Sequence, residues 1–231
     1  PMNFIDQISP TARGPVPEHI FFLCADAFGV LPPVAKLNKA QAMYYFLSGY
    51  TAKVAGTEIG IKEPKATFSA CFGAPFMLQK PEVYGKLLGD LLDKLNFKVW
   101  LVNTGWTGGA YGVGHRFPIK ETRSIIRAIQ KLTPEESEKL NTHKDPVFGL
   151  EIPLNLDGVS KNILRPWETW KDPKEYEKSA QNLANMFHEN FKTLACSDQF
   201  AQGPNSTEKK TNTREEFSRI WDGGPVFSAH P

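Results

Sequence analysis

The sequence predicts an α/β fold, and three stretches carry the prediction. A continuous apolar run, His19-Ile-Phe-Phe-Leu-Cys-Ala25, has the length and composition of a strand buried on both faces. Residues 81–95 place Tyr84, Leu87, Leu88, Leu91, Leu92 and Leu95 at helical spacing, which gives one apolar face to pack on a sheet. Residues 97–102 form a second strand-like run. A glycine loop follows it, then the helix-period set Ile125, Ile126, Ile129 and Leu132. Strand, helix, strand, loop and helix in that order predict an α/β domain with a buried, largely parallel region.

The remaining elements follow from local signals. Residues 6–18 read as loop, broken by Pro10, Gly14, Pro15 and Pro17. After Asp26, the pair Pro32-Pro33 imposes extended backbone and ends the element. Asn38 is a helix cap, and its helix is expected to run to about Ala55 with Tyr44, Leu47 and Thr51 on one stripe. Residues 56–80 read as mostly irregular, with a short strand at 67–72. Pro81 suits the first turn of the 81–95 helix. Residues 133–170 lose periodicity, apart from a short strand at 147–154. Residues 174–194 form an amphipathic helix with Tyr176, Ala180, Leu183, Phe187 and Phe191 inside. Residues 205–231 are expected to be a flexible, irregular extension, because 205–214 are polar and lack large apolar side chains.

Bulk composition excludes several function classes. The 231 residues carry 27 basic and 25 acidic side chains, well mixed, for a net charge of +2. Such balance supplies no broad field for nucleic acid or a membrane surface. Apolar runs fall far short of the roughly 20 residues that a membrane span needs. Cys24, Cys71 and Cys196 are odd in number and widely spaced, which argues against a disulfide framework and for a reducing compartment. The cytosol is the expected location. The opening Pro1-Met-Asn-Phe-Ile5 reads as an extended segment already in progress, so a piece of a longer protein is expected.

Residues 103–123, Asn-Thr-Gly-Trp-Thr-Gly-Gly-Ala-Tyr-Gly-Val-Gly-His-Arg-Phe-Pro-Ile-Lys-Glu-Thr-Arg, carry the strongest functional signal. Glycines allow backbone N–H groups to approach a ligand closely, and a glycine loop feeding a helix N-terminus suits an anion. Neither standard nucleotide fingerprint is present, so a plain structural turn stays open beside a nucleotide site. Arg116 could pair with phosphate or stack on a base, or be a solvated loop arginine. Thr122 could meet a ligand or cap the following helix. His115 could act as acid or base, or be simply exposed. Asp26, at a strand end, faces either a ligand crevice or its own turn. Lys53 and Glu58 read as a structural ion pair. The histidines are scattered without zinc spacing.

Several segments together resemble ATP-dependent phosphoenolpyruvate carboxykinase. They are Phe22-Leu-Cys-Ala-Asp-Ala-Phe-Gly-Val-Leu-Pro-Pro-Val34, Tyr45-Phe-Leu-Ser-Gly-Tyr-Thr-Ala-Lys-Val-Ala-Gly-Thr-Glu58, Thr67-Phe-Ser-Ala-Cys-Phe-Gly73, and Val102-Asn-Thr-Gly-Trp-Thr-Gly-Gly109 onward to Thr122-Arg123. The resemblance covers residues 1–204 and implies the C-terminal, nucleotide-binding part of that fold, a mixed sheet with flanking helices. It implies conversion of oxaloacetate and ATP to phosphoenolpyruvate, ADP and CO₂, as in gluconeogenesis. It also implies ATP-binding roles for Arg116, Phe117 and Thr122. Phenylalanine stands at 117 where the family commonly has an aliphatic residue, which suits a backbone or stacking contact. The intact enzyme would use Mg²⁺ and Mn²⁺. By the same resemblance, the phosphate loop, the metal ligands and the oxaloacetate-binding arginine lie upstream of Pro1, in the N-terminal part of the enzyme. No catalytic or metal-binding residue is expected within the 231. A catalytically inactive nucleotide-binding or interaction module derived from that enzyme is the alternative.

Overall fold

The computed structural model describes residues 4–6, 8–11, 13–56 and 59–205. Its strands are β1 (His19–Cys24), β2 (Val34–Leu37), β3 (Tyr50–Lys53), β4 (Lys65–Phe68), β5 (Lys98–Asn103), β6 (Trp106–Thr107), β7 (His115–Arg116), β8 (Thr142–Lys144) and β9 (Glu151–Pro153). Its α-helices are α1 (Lys39–Ser48), α2 (Pro81–Lys94), α3 (Ile119–Gln130), α4 (Pro134–Glu138) and α5 (Pro173–Leu194). Five strands form one sheet in the order β1-β5-β2-β9-β8, and two hairpins stand beside it, β3-β4 and β6-β7. The chain is α/β with a mixed sheet and flanking helices.

The largely parallel region expected from the element order is not what forms. Among the described residues only β1 and β5 run parallel; β2 lies antiparallel to β5, and β9 antiparallel to both β2 and β8. The strand responsible is β2, which the sequence pattern missed. The prolines that end one element start the next: extended backbone at 32–33 delivers Val34, Ala35 and Leu37 to the core. Lys36 breaks the apolar run, and its ammonium is paired with Glu138 and Glu151, each at 3.4 Å.

β1 is also less buried than a double-faced strand. It is the outermost strand of the sheet, and Leu23 is 57% exposed. On its inner side β5 is almost fully enclosed, with Trp100 and Val102 at 0% exposure. Trp100 Nε1 donates to His19 Nδ1 at 3.2 Å, and His19 Nε2 meets the Leu132 carbonyl at 2.7 Å. Accepting at one nitrogen and donating at the other assigns the proton of His19 to Nε2.

Asn38 caps α1 as expected, with a reciprocal capping box to Gln41. The helix ends at Ser48, seven residues before the expected stop. Gly49 takes a left-handed conformation (φ 54), and a Cβ there would strike the Ser69 carbonyl. Thr51 therefore lies on β3, not on a helical stripe with Tyr44 and Leu47. The strand expected at 67–72 stops at Phe68, because Cys71 and Phe72 both adopt positive φ. The strand expected at 147–154 is confined to β9. The expected tail, Asn205 apart, lies outside the described residues, as does Glu58, the expected partner of Lys53.

Helix α2 packs by the part of its expected apolar face that carries Tyr84, Leu88, Leu92 and, just past its end, Leu95, and by two glycines beside them. Its buried residues are Gly85 and Gly89, which set its backbone against Leu47 and Met43 of α1. Leu87 and Leu91 are about half exposed. Helix α5 behaves as read: Tyr176, Ala180, Leu183 and Phe187 are fully buried, and Phe191 partly so. Phe187 is the centre of an aromatic cluster, with ring centroids of Tyr45, Tyr50 and Phe68 at 5.4, 5.1 and 5.3 Å. Such pairs each contribute about 0.5–1.5 kcal/mol beyond area burial.

Gly49→Ala forces a side chain into a left-handed site against backbone, so it should lower unfolding free energy by more than about 1 kcal/mol. Gly14→Ala, with open space around it, should be close to neutral when both variants are unfolded in urea. His143 packs on Trp167 (5.1 Å), and its Nε2 has no partner among the described residues. Burial, then the nearby Arg165 charge, hold its pKa below the usual histidine value. The unfolded chain therefore takes up that proton first, and this contribution to stability is lost as pH falls below about 6.5. His143→Phe should flatten the decline in melting temperature between pH 7 and pH 5.

Candidate functional site

The ends of β1 and β5 are joined by two buried side chains. Asp26 is 0% exposed, and its carboxylate accepts from the N–H groups of Phe28 (2.9 Å), Val30 (2.6 Å) and Leu31 (2.8 Å) and from the Tyr50 hydroxyl (3.0 Å). Asn103 Oδ1 accepts from the N–H groups of Asp26 (2.9 Å) and Gly105 (2.8 Å), while its Nδ2 donates to the Leu31 carbonyl (3.0 Å). Burial pushes the Asp26 carboxyl above its ordinary pKa, against the four donors that favour its charge. Burial, then the same carboxylate, raise the Cys24 thiol, as expected of an unreactive core cysteine. Asp26 thus serves its own turn and does not face a crevice.

From this junction the glycine loop leaves as a hairpin. β6 pairs with β7, Trp106 opposite Arg116 and Thr107 opposite His115. Its glycines answer mainly to packing. A Cβ on Gly105 would strike the Asp26 backbone, and one on Gly29 would strike the Gly109 carbonyl. Many of its amides are already bonded inside the protein. Gly105 donates to Asn103, Trp106 to Asp26, Gly114 to Ala110, and Phe117 to the Gly105 carbonyl. These groups are not free to cradle an anion. Nor does the loop feed a helix directly, since β7 and Phe117-Pro118 intervene before α3.

Arg116 is exposed on β7 of this hairpin, and Thr122 lies in the first turns of α3. Arg116 Nε donates to the Thr104 carbonyl at 2.9 Å, and its guanidinium carbon sits 5.5 Å from the Trp106 ring centroid. Trp106 is nearly buried (7% exposed), so one face of the guanidinium is closed and the residue as a whole stays exposed. Phe117 is buried at 5% exposure, which leaves its backbone as the part able to meet a ligand. Thr122 is half-buried in the fourth position of α3. The N-cap is Pro118, without a side-chain cap, so capping is not the role of Thr122. Its hydroxyl makes no bond among the described residues. His115 is exposed on β7. Trp106, Asn103 and Thr104 were not singled out in the sequence. The one available signal was their place directly before and within the glycine run.

A cavity of about 330 Å³ opens beside the hairpin tip, lined by Ala27, Phe28, Lys65, Ala110, Tyr111 and Met186 among others. Arg116, Phe117 and Thr122 are not part of its wall. Among the described residues, no three His, Cys, Asp or Glu side chains are grouped to hold a metal ion. Also among them, no helix is long and apolar enough to cross a membrane.

A family model described as phosphoenolpyruvate carboxykinase matches residues 1–162. Curated relatives named phosphoenolpyruvate carboxykinase (ATP) extend the match. That of Azorhizobium caulinodans is 53% identical over 191 residues, which is 83% of this chain and 35% of its own length. That of Caldanaerobacter subterraneus subsp. tengcongensis is 54% identical over 191 residues, covering 83% and 36%. That of Thermus thermophilus is 50% identical over 195 residues, covering 84% and 36%. The chain spans about a third of the length of the curated relatives it matches.

The junction can be tested by itself. Asn103→Ala strands two buried donors and one buried acceptor, each worth about 1–3 kcal/mol when unpaired. It should destabilise by about 3 kcal/mol or more in denaturant titration, with Trp106 fluorescence altered before unfolding begins.

Proposed function

The chain belongs to the phosphoenolpyruvate carboxykinase family, and on that premise we propose that it is part of an ATP-dependent enzyme that converts oxaloacetate and ATP to phosphoenolpyruvate, ADP and CO₂. The cellular role in this reading is gluconeogenesis. This stretch supplies the adenosine side of the ATP site, through Arg116, the Phe117 backbone and Thr122. The observation that carries the reading is the state of Arg116. Its guanidinium is fixed by the Thr104 carbonyl and the Trp106 ring, yet its terminal N–H groups remain unbonded among the described residues. A held, outward-facing guanidinium suits a phosphate oxygen or the face of a purine. Thr122, in the first turns of α3, keeps a hydroxyl that is unbonded among the described residues for the same ligand.

In this reading the described residues bind and orient; the chemistry occurs elsewhere. Gripping the adenosine end fixes where the triphosphate points, and positioning is much of what phosphoryl transfer requires. The Mg²⁺ and Mn²⁺ ions of the intact enzyme neutralise the phosphates when bound. Their ligands, the phosphate loop and the oxaloacetate-binding arginine belong to the two-thirds of the relatives' length that this chain does not span. The principal partner of this stretch is accordingly the rest of the same enzyme.

The full polypeptide that carries this sequence should form phosphoenolpyruvate from oxaloacetate and ATP when both metals are supplied. In it, Arg116→Ala should raise KM for ATP about tenfold or more and leave KM for oxaloacetate nearly unchanged, as loss of a charged contact to one substrate requires. Equal effects on both substrates would refute the adenosine-side role. No turnover at all would favour a catalytically inactive module.

A further inference from the structure

Arg116 is restrained in a way that leaves its charge unspent. Its Nε donates to the Thr104 carbonyl at 2.9 Å, and no carboxylate among the described residues pairs with it. Thr104 is itself fixed, since its N–H and its hydroxyl both donate to the Cys24 carbonyl, at 2.8 and 3.0 Å. One hydrogen bond at Nε still lets the guanidinium fork swing. The second restraint is the Trp106 ring, whose centroid lies 5.5 Å from the guanidinium carbon. Trp106 stands directly across the hairpin from Arg116, and its own N–H donates to the Asp26 carbonyl at 2.8 Å. Tyr111 meets the indole edge-on from the hairpin tip, with ring centroids 6.1 Å apart. An aromatic face attracts a cation through its quadrupole and takes none of its N–H donors. A carboxylate in the same place would occupy those donors and cancel the charge. A fork held by a ring and a carbonyl therefore stays available to an anionic ligand and loses less freedom when it binds one.

Resting on the reading of Arg116 as an ATP contact, we propose that Trp106 is a positioning residue of the nucleotide site. It sets the affinity for ATP through Arg116 and does not itself touch the nucleotide. Its near-complete burial fits that division: the ring is closed off, and the guanidinium above it is what a ligand reaches.

The test is a double-mutant cycle in the full polypeptide that carries this sequence. Trp106→Leu should raise KM for ATP about three- to tenfold, with kcat and KM for oxaloacetate nearly unchanged. Trp106→Phe keeps an aromatic face and should recover most of that loss. In an Arg116→Ala background, Trp106→Leu should add little, because the group it positions is gone. ATP with Mg²⁺, added without oxaloacetate, should change the tryptophan emission of the wild type, and much less that of Trp106→Phe. This readout needs no turnover, and it decides the question where Trp106→Leu does not fold. Additive effects of the two substitutions would overturn the proposal and leave the role of Arg116 standing. So would a Trp106→Leu that weakens both substrates alike, or an emission change undiminished in Trp106→Phe. An Arg116→Ala with no effect on ATP would instead refute the adenosine-side reading, and the proposal with it.

Discussion

The Asp26–Asn103 junction is the constraint on which the rest of the site depends. Seven hydrogen bonds converge on two buried side chains at the ends of neighbouring parallel strands. They set the 28–31 turn, tie β3 to the sheet through Tyr50, and fix the direction in which the chain leaves β5. Everything beyond Gly105 inherits that direction. Trp106 follows through its bond to the Asp26 carbonyl, and Phe117 is drawn back to Gly105. Arg116 stands between them on the Thr104 carbonyl. The outward guanidinium is thus the last link in a chain of buried bonds that begins with a carboxylate.

The sequence was legible where one physical signal dominated. Asn38 and Gln41 wrote a helix start, and the spacing of Tyr176, Ala180, Leu183 and Phe187 wrote the inner face of α5. It was illegible where tertiary context decided. β2 is four residues long and contains a lysine whose charge is neutralised by Glu138 and Glu151, both more than 100 residues away in sequence. No local pattern encodes that pairing. α1 looked longer than it is because β3 continues its apolar composition, and only the left-handed Gly49 divides them. The leucines of α2 marked its buried face in part: Leu88, Leu92 and Leu95 pack against the core while Leu87 and Leu91 stay about half exposed, and the closest approach is made by Gly85 and Gly89.

At the site, Arg116, Phe117 and Thr122 were named from family resemblance, and the residues that hold them were not. The glycine run drew attention as a backbone cradle. In the folded chain Gly105 is required by the Asp26 backbone, and Gly109 by its positive φ (133) and by Val113 and Gly114. The loop is rich in glycine because main chain crosses at Gly105, Gly109 and Gly114 with no room for side chains, and because the backbone is left-handed at Gly112, which has open space around it. This explains why the run matches neither nucleotide fingerprint while still lying next to the residues proposed to bind one.

The outermost strand of the sheet bears on how this polypeptide behaves among others. At the two ends of β1 the Glu18 and Cys24 carbonyls accept from the N–H groups of Lys98 and Thr104, so the main-chain groups of the alternate residues His19, Phe21 and Leu23 project away from the sheet. Among the described residues no strand bonds to them. A row of unanswered donors and acceptors beside a half-exposed leucine is a template, able to recruit a sixth strand from elsewhere in a longer chain. Left vacant, the same template is the point at which these molecules would begin to stick to one another.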